Sequence, residues 1–144
     1  MSDACPFLEA EDDLAALLGD LAITTLEAPD PLQPVGVLTY VPEAIAPPVV
    51  MLQPGEDWLA TDEIASTFEP GEYIATLEAW AVVDLVNNQA AARELRDLVA
   101  GIVQAVEPSA WWIKAVGQPG PIHTSEWMAH GVRITLGRYV TTTA

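Results

Sequence analysis

Positive charge is what this sequence has least of. Residues 1–92 contain no Lys or Arg, yet they carry 17 acids. All five bases, Arg93, Arg96, Lys114, Arg133 and Arg138, fall in residues 93–144, against four acids. With a net charge of −16, the chain cannot offer a broad basic surface to a nucleic-acid backbone or an anionic membrane. Cysteine is nearly missing too. Cys5 alone makes no intrachain disulfide and no cysteine-based zinc site. No run approaches the roughly 20 apolar residues of a membrane span. The start, Met1-Ser2-Asp3, lacks the basic-then-apolar order of a secretory signal, so a soluble intracellular protein is expected. There is no phosphate-cradling glycine loop and no serine nucleophile elbow.

What is present points to one folded domain. Hydrophobic residues make up 51% and charged residues 18%, the reverse of a disordered chain. The length of 144 residues suits a single domain. The expected layout is a loose tail over 1–7, a folded core over 8–140 and a short tail over 141–144.

Leu14, Leu17, Leu18 and Leu21 recur at helical spacing and predict a short amphipathic helix over 8–21. Glu9, Glu11, Asp12 and Asp13 sit early in it, where the helix dipole favours negative charge. Seven of the twelve prolines lie in residues 29–54, marking edges and turns around strands at Val35–Val41 and Val49–Gln53. Gln53-Pro54-Gly55 reads as a turn that ends the second of these. Glu56–Pro70 has no clear period and reads as a connection carrying Trp58 and Phe68. From Glu72 to Val86, Tyr73, Ala75, Leu77, Ala79, Ala81, Val83 and Leu85 alternate onto one face of a long strand. Asn87 or Asn88 can then cap a helix over 88–107. Its apolar stripe is Ala91, Leu95, Leu98, Val99, Ile102, Val103 and Val106, with Arg93 and Asp97 on the far side. Pro108 stops this helix. Trp111–Val116 reads as a strand, Gly117–Pro121 as a turn or loop, and Gly131–Val140 as the last strand. The order α–β–β–β–α–β–β predicts an α+β domain. Both helices should lie on one face of a mostly antiparallel sheet.

Few residues could carry chemistry. His123, Ser125, Glu126 and His130 cluster in sequence, and His123, Glu126 and His130 are of zinc-ligand type. Gly120 and Pro121 before them and Gly131 after them do not allow the helical spacing that would gather them, so polar loop residues suffice. The acid pairs Glu56/Asp57 and Asp62/Glu63 lack the contrast of environments that acid–base catalysis needs. No catalytic residue, metal or cofactor is expected. Of the five tryptophans, Trp111 and Trp112 are adjacent on a strand and must point to opposite faces. One can enter the core; the other must be covered by the chain or serve a subunit contact.

The run Pro48-Val49-Val50-Met51-Leu52, the long strand Tyr73–Val86, the helix opened by Asn87-Asn88-Gln89-Ala90-Ala91 and the strand Gly131–Val140 together resemble a siphophage tail terminator. The resemblance covers most of residues 8–140 and lies in element order and texture rather than in a diagnostic motif. It implies an α+β subunit of a hexameric ring in the virion neck. Such a ring caps the tail tube, ends its polymerisation and joins the head. The partners implied are further copies of the chain, the tail tube protein and the head–tail connector protein. There would be no sequence-specific nucleic-acid binding, although DNA passes through the lumen, and no membrane. A ring needs two unlike patches on each subunit. Segregated charge offers them, and an acidic lumen would repel passing DNA. The candidate interface residues are Trp111, Trp112, Lys114, Arg133 and Arg138. The competing readings are a DNA-mimic inhibitor whose carboxylates imitate phosphates, and a small hydrolase or metal protein using His123 and His130.

Overall fold

The computed structural model describes residues 6–24, 33–40, 47–60, 72–84, 88–123 and 128–141. Helix α1 (Pro6–Leu18) is followed by the short strands β1 (Ala22–Ile23), β2 (Gln33–Pro34) and β3 (Gly36–Leu38). Two long strands come next, β4 (Val49–Ala60) and β5 (Glu72–Asp84). Helix α2 (Asn88–Val106) leads to β6 (Trp112–Val116), β7 (Gly120–His123) and β8 (Met128–Thr141). The fold is α+β, as the pattern predicts, with β1, β2 and β7 added to the five expected strands.

The main sheet runs β3-β4-β5-β8-β6, and β7 also pairs with β8. Only β3 and β4 run parallel; the other pairs are antiparallel. β6 and β7 share one side of β8, at its C-terminal and N-terminal halves respectively. Between them the Gly117 N–H donates to the Arg133 carbonyl at 2.7 Å, so the edge is nearly continuous. β1 and β2 form a separate antiparallel pair.

Strand alternation decides where the core lies. Ala75, Leu77, Ala79, Ala81 and Val83 of β5 share a face with Val50 and Leu52 of β4 and Val132, Ile134 and Leu136 of β8. Onto this face pack Ala10, Leu14 and Leu18 of α1 and Ala91, Leu95, Leu98, Ile102 and Val106 of α2, all buried in one cluster. The 3.6-residue period of α2 and the two-residue period of β5 thus converge on one dry layer. Both helices cover the same side. On the other face a smaller cluster of Val49, Met51, Val82 and Ala129 is packed by Leu38 and Trp80.

Three expectations are corrected. The strand at Val49 does not end at Gln53-Pro54-Gly55 but continues to Ala60. The chain accommodates the turn residues by a bulge: Pro54 pairs with Leu77 and Leu59 with Ala75, five steps along β4 against two along β5. Gly55 lies so close to β5 that a Cβ there would sit 2.6 Å from the Thr76 methyl. Gly120 and Pro121 are not loop but strand, paired with Gly131 and His130. Proline is tolerated there because β7 is an edge strand. Finally, α1 starts at Pro6, two residues before Leu8, so only Glu9 of the acidic run lies in the first turn. Glu11, Asp12 and Asp13 lie beyond most of the reach of the dipole. Residues 61–71, 85–87 and 124–127 lie outside the described residues. So do the expected loop with Phe68, the end of the long strand at Leu85-Val86, Asn87 and Trp127.

The packing predicts a clear contrast. Leu98 is fully buried at the centre of α2, and Arg93 is exposed. Leu98→Ala should cost about 2–5 kcal/mol of unfolding free energy in urea titration. Arg93→Ala should stay within about 0.5 kcal/mol of the parent.

Candidate functional site

The residues proposed for subunit contact gather around the end of α2 and the β6 edge. After Pro108 closes the helix, the Ser109 hydroxyl donates to the Val106 carbonyl at 2.7 Å. It also accepts from the Trp111 N–H at 3.1 Å. This local clamp turns the chain and starts β6 with opposite orientations for the two tryptophans. Trp111 goes inward and is 3% exposed. Trp112 goes to the other face of the sheet and stays half-buried. The adjacent pair therefore divides as the strand period demands, and Trp111 belongs to the chain's own core.

Arg138 is occupied on the same helical side. Its guanidinium lies 5.9 Å from the centroid of the Trp111 ring and 3.0 Å from the Asp13 carboxylate of α1. The pair with the largely exposed Asp13 contributes only about 0–1 kcal/mol. Stacking on Trp111 adds a contribution of roughly the same size. Arg138 thus joins α1, β8 and β6 within one subunit. It is not a free surface cation, and reversing its charge would disturb the subunit itself.

Trp112 lies flat across β8. Gly137 is its partner in register, and a Cβ on Gly137 would come within 2.8 Å of the indole. Tyr139 stands beside it, with ring centroids 5.0 Å apart and planes tilted by 52°. Tyr139 is 63% exposed, far above what a core aromatic shows. Sequence reasoning missed this partner. The available signal was Gly137, because a glycine inside a strand marks close approach by another group.

Lys114 is exposed and is the extra residue of a bulge, since Ile113 pairs with Leu136 and Ala115 with Thr135. A lysine on a bulged edge discourages strand-to-strand addition and leaves contact to side chains. Arg133 is about half exposed and 3.6 Å from Glu78 on the neighbouring strand. Of the five candidates, Trp112, Lys114 and Arg133 therefore present surface, whereas Trp111 and Arg138 are engaged inside the subunit.

His130 lies on the helical side of β8 and is not in a metal cluster. Among the described residues, no three His, Cys, Asp or Glu side chains converge. Ser125 and Glu126 lie outside the described residues. His130 instead borders an apolar groove of about 410 Å³ between α2 and the β6–β7 edge. Leu95, Val99, Val116 and Val132 form its walls, and Arg96 stands at its rim. Among the described residues, none that lines it is an acid. Among the described residues, no helix is long and apolar enough to cross a membrane.

On α1, Glu11 is partly buried and its carboxyl is held above the usual range, first by desolvation and then by the charge of Asp12.

A comparison with models of known protein families finds none that matches this chain. Among curated proteins, none is similar to it at a significant level.

Two outcomes follow from this geometry. Gly137→Val should drive the Trp112 indole off β8 and shift tryptophan emission to the red, because the half-buried ring gains water. An unchanged spectrum would contradict the close approach. For Glu11, a pKa raised in the folded state means that its stabilising contribution is complete below the unfolded pKa and is lost as pH rises through the folded one. Glu11→Gln should therefore be more stable than the parent at neutral pH and indistinguishable from it near the acid end. Thermal unfolding across that range measures the difference.

Proposed function

We propose that this chain is a structural subunit of a long-tailed bacteriophage. It assembles as a ring, most simply a hexamer, that caps the tail tube, ends its polymerisation and forms part of the head–tail joining surface. The tail tube protein and the connector protein are its partners, and the assembled virion neck is its location. No catalytic step, metal or cofactor enters this reading.

The observation that carries it is the β6 edge. On the face away from the helices Trp112 is half-buried and Tyr139 is 63% exposed, and on the helical side of the same edge Val116 is 47% exposed. Lys114 and Arg133 stand on the same two strands. Aromatic and apolar groups with a few cations form an adhesive patch on a chain whose remaining surface is strongly acidic. A closed ring needs that patch to meet a different one on the next copy, and the base-free first part of the chain supplies an unlike surface. Acidic groups left facing the lumen would keep DNA phosphates from adhering.

Ring formation tests this directly. Copies of net charge −16 repel one another over about 30 Å at 0.01 M salt and about 8 Å at physiological salt. Mass photometry and negative staining should show a ring fraction that rises between those conditions. Arg133→Glu should weaken the rings without unfolding the subunit, because its pairing with Glu78 contributes only about 0–1 kcal/mol. A species that stays monomeric at high concentration and in the presence of tail tubes would overturn the reading. If such a monomer competed with DNA for a DNA-binding enzyme, the DNA-mimic alternative would replace it.

A further inference from the structure

Two unlike features lie toward opposite ends of β8, on the helical side of the sheet. The first is the groove between α2 and the β6–β7 edge. Its walls are Leu95, Val99, Val116 and Val132, and its polar groups are Arg96 and His130. Val116 is 47% exposed, more than a valine in a finished core would be. Arg96 is exposed and has no carboxylate partner among the described residues. In a chain with five bases and 21 acids, an apolar groove rimmed by a cation, with no acid among its described lining residues, is the exception.

The second feature is the outer face of α1. The helix buries Ala10, Leu14 and Leu18. That leaves Leu8, Asp12 and Ala16 exposed at i, i+4 and i+8, with Glu9 beside them. Leu8 is 57% exposed. The outer face is thus one large apolar side chain among carboxylates, the counterpart of the groove in charge. It cannot fill the groove of its own chain. α1 meets β8 near its C-terminal end, where Asp13 pairs with Arg138, whereas the groove opens beside His130 and Val132 in the N-terminal half of that strand. The buried stripe of α1 fixes it there.

We infer that the groove between α2 and the β6–β7 edge receives the outer face of α1 from a second copy of the chain. Leu8 inserts between Val99 and Val116, and Asp12 and Glu9 face Arg96 and His130. The contact is heterologous, so each copy uses one patch as donor and the opposite one as acceptor. It deepens the ring reading by naming what meets at the β6 edge, and it rests on that reading only in requiring that copies associate. Burial of Leu8 and Val116 supplies the apolar driving force. The charge pairing chooses this groove over the acid-lined surface elsewhere.

The test uses full-length protein in a Cys5→Ser background, where no native thiol remains. Leu8→Cys protein is mixed with Val116→Cys protein under mild oxidation. A disulfide-linked heterodimer is expected. Tyr40→Cys, also exposed, should give none with Val116→Cys. In parallel, Arg96→Glu should weaken association at least about tenfold, and Asp12→Arg added to it should restore most of the loss. Leu8, Asp12, Tyr40, Arg96 and Val116 are exposed, so the fold should survive, and circular dichroism checks that it does. Cross-linking together with open chains instead of closed rings would uphold this contact and overturn the ring. Closed rings without the cross-link, indifferent to Arg96→Glu, would overturn this contact and leave the ring standing. No association at any concentration would remove both. Anilinonaphthalenesulfonate that binds in the groove, and is not displaced when copies associate, would assign the groove to a small apolar anion and overturn the inference.

Discussion

β5 offers the helices Ala75, Leu77, Ala79, Ala81 and Val83, and three of those five side chains are alanine. Small residues at the centre of the sheet let α2 approach closely and leave space for Leu95, Leu98 and Ile102, all essentially inaccessible to water. The rest of the molecule depends on this contact. It holds α2 over β5, β8 and β6, and α1 packs beside α2 against β8 and β3. Close packing of this kind tolerates neither a void nor an added methylene, so its geometry is sharply defined. β5 itself is secured on both sides, by β4 along one edge and by β8 along nearly its whole length.

Because both helices occupy one face, the other face is finished by different means. Val49, Met51, Val82 and Ala129 make a small second cluster under Leu38 and Trp80. Toward β6, side chains lying on the strands do the covering: Trp112 lies over Gly137 and beside Tyr139. The edge is shaped in the same local way. A bulge pushes Lys114 out of the ladder, while the Gly117 hydrogen bond to β8 carries the edge on toward β7. An edge bulged at a lysine is a poor template for another strand.

Charge follows the same division. The base-free part of the chain forms α1, the strands through β5 and their connections, and the bases all fall on α2, β6 and β8. Arg138 is used within the subunit, tying Asp13 of α1 to the Trp111 ring. Arg133 leans toward Glu78. Arg96 and Lys114 remain on the flank that carries the groove. The bases thus gather on the elements that follow β5, while the chain up to Ala92 carries none.

The sequence by itself determined the periodic parts. Helix α2 was legible to within a residue, because its apolar stripe is long and Pro108 ends it. The face of β5 toward the core was legible because alternation has only two outcomes, and the same rule required Trp111 and Trp112 to separate. Local signals misled where tertiary contact overrode them. Pro54-Gly55 looks like a turn, but pairing with β5 carries the strand through it as a bulge. Gly120-Pro121 looks like a loop, but β8 recruits it as an edge strand. Only the tertiary structure decided which tryptophan entered the core, that Arg138 was committed to Asp13, that Tyr139 stood beside Trp112, and that a groove opened between α2 and β6–β7. Each of these joins residues far apart in the chain, from Asp13 with Arg138 to Val99 with Val116. Spacing along a sequence records which side of its own element a residue faces. What that side meets is set by how the elements pack.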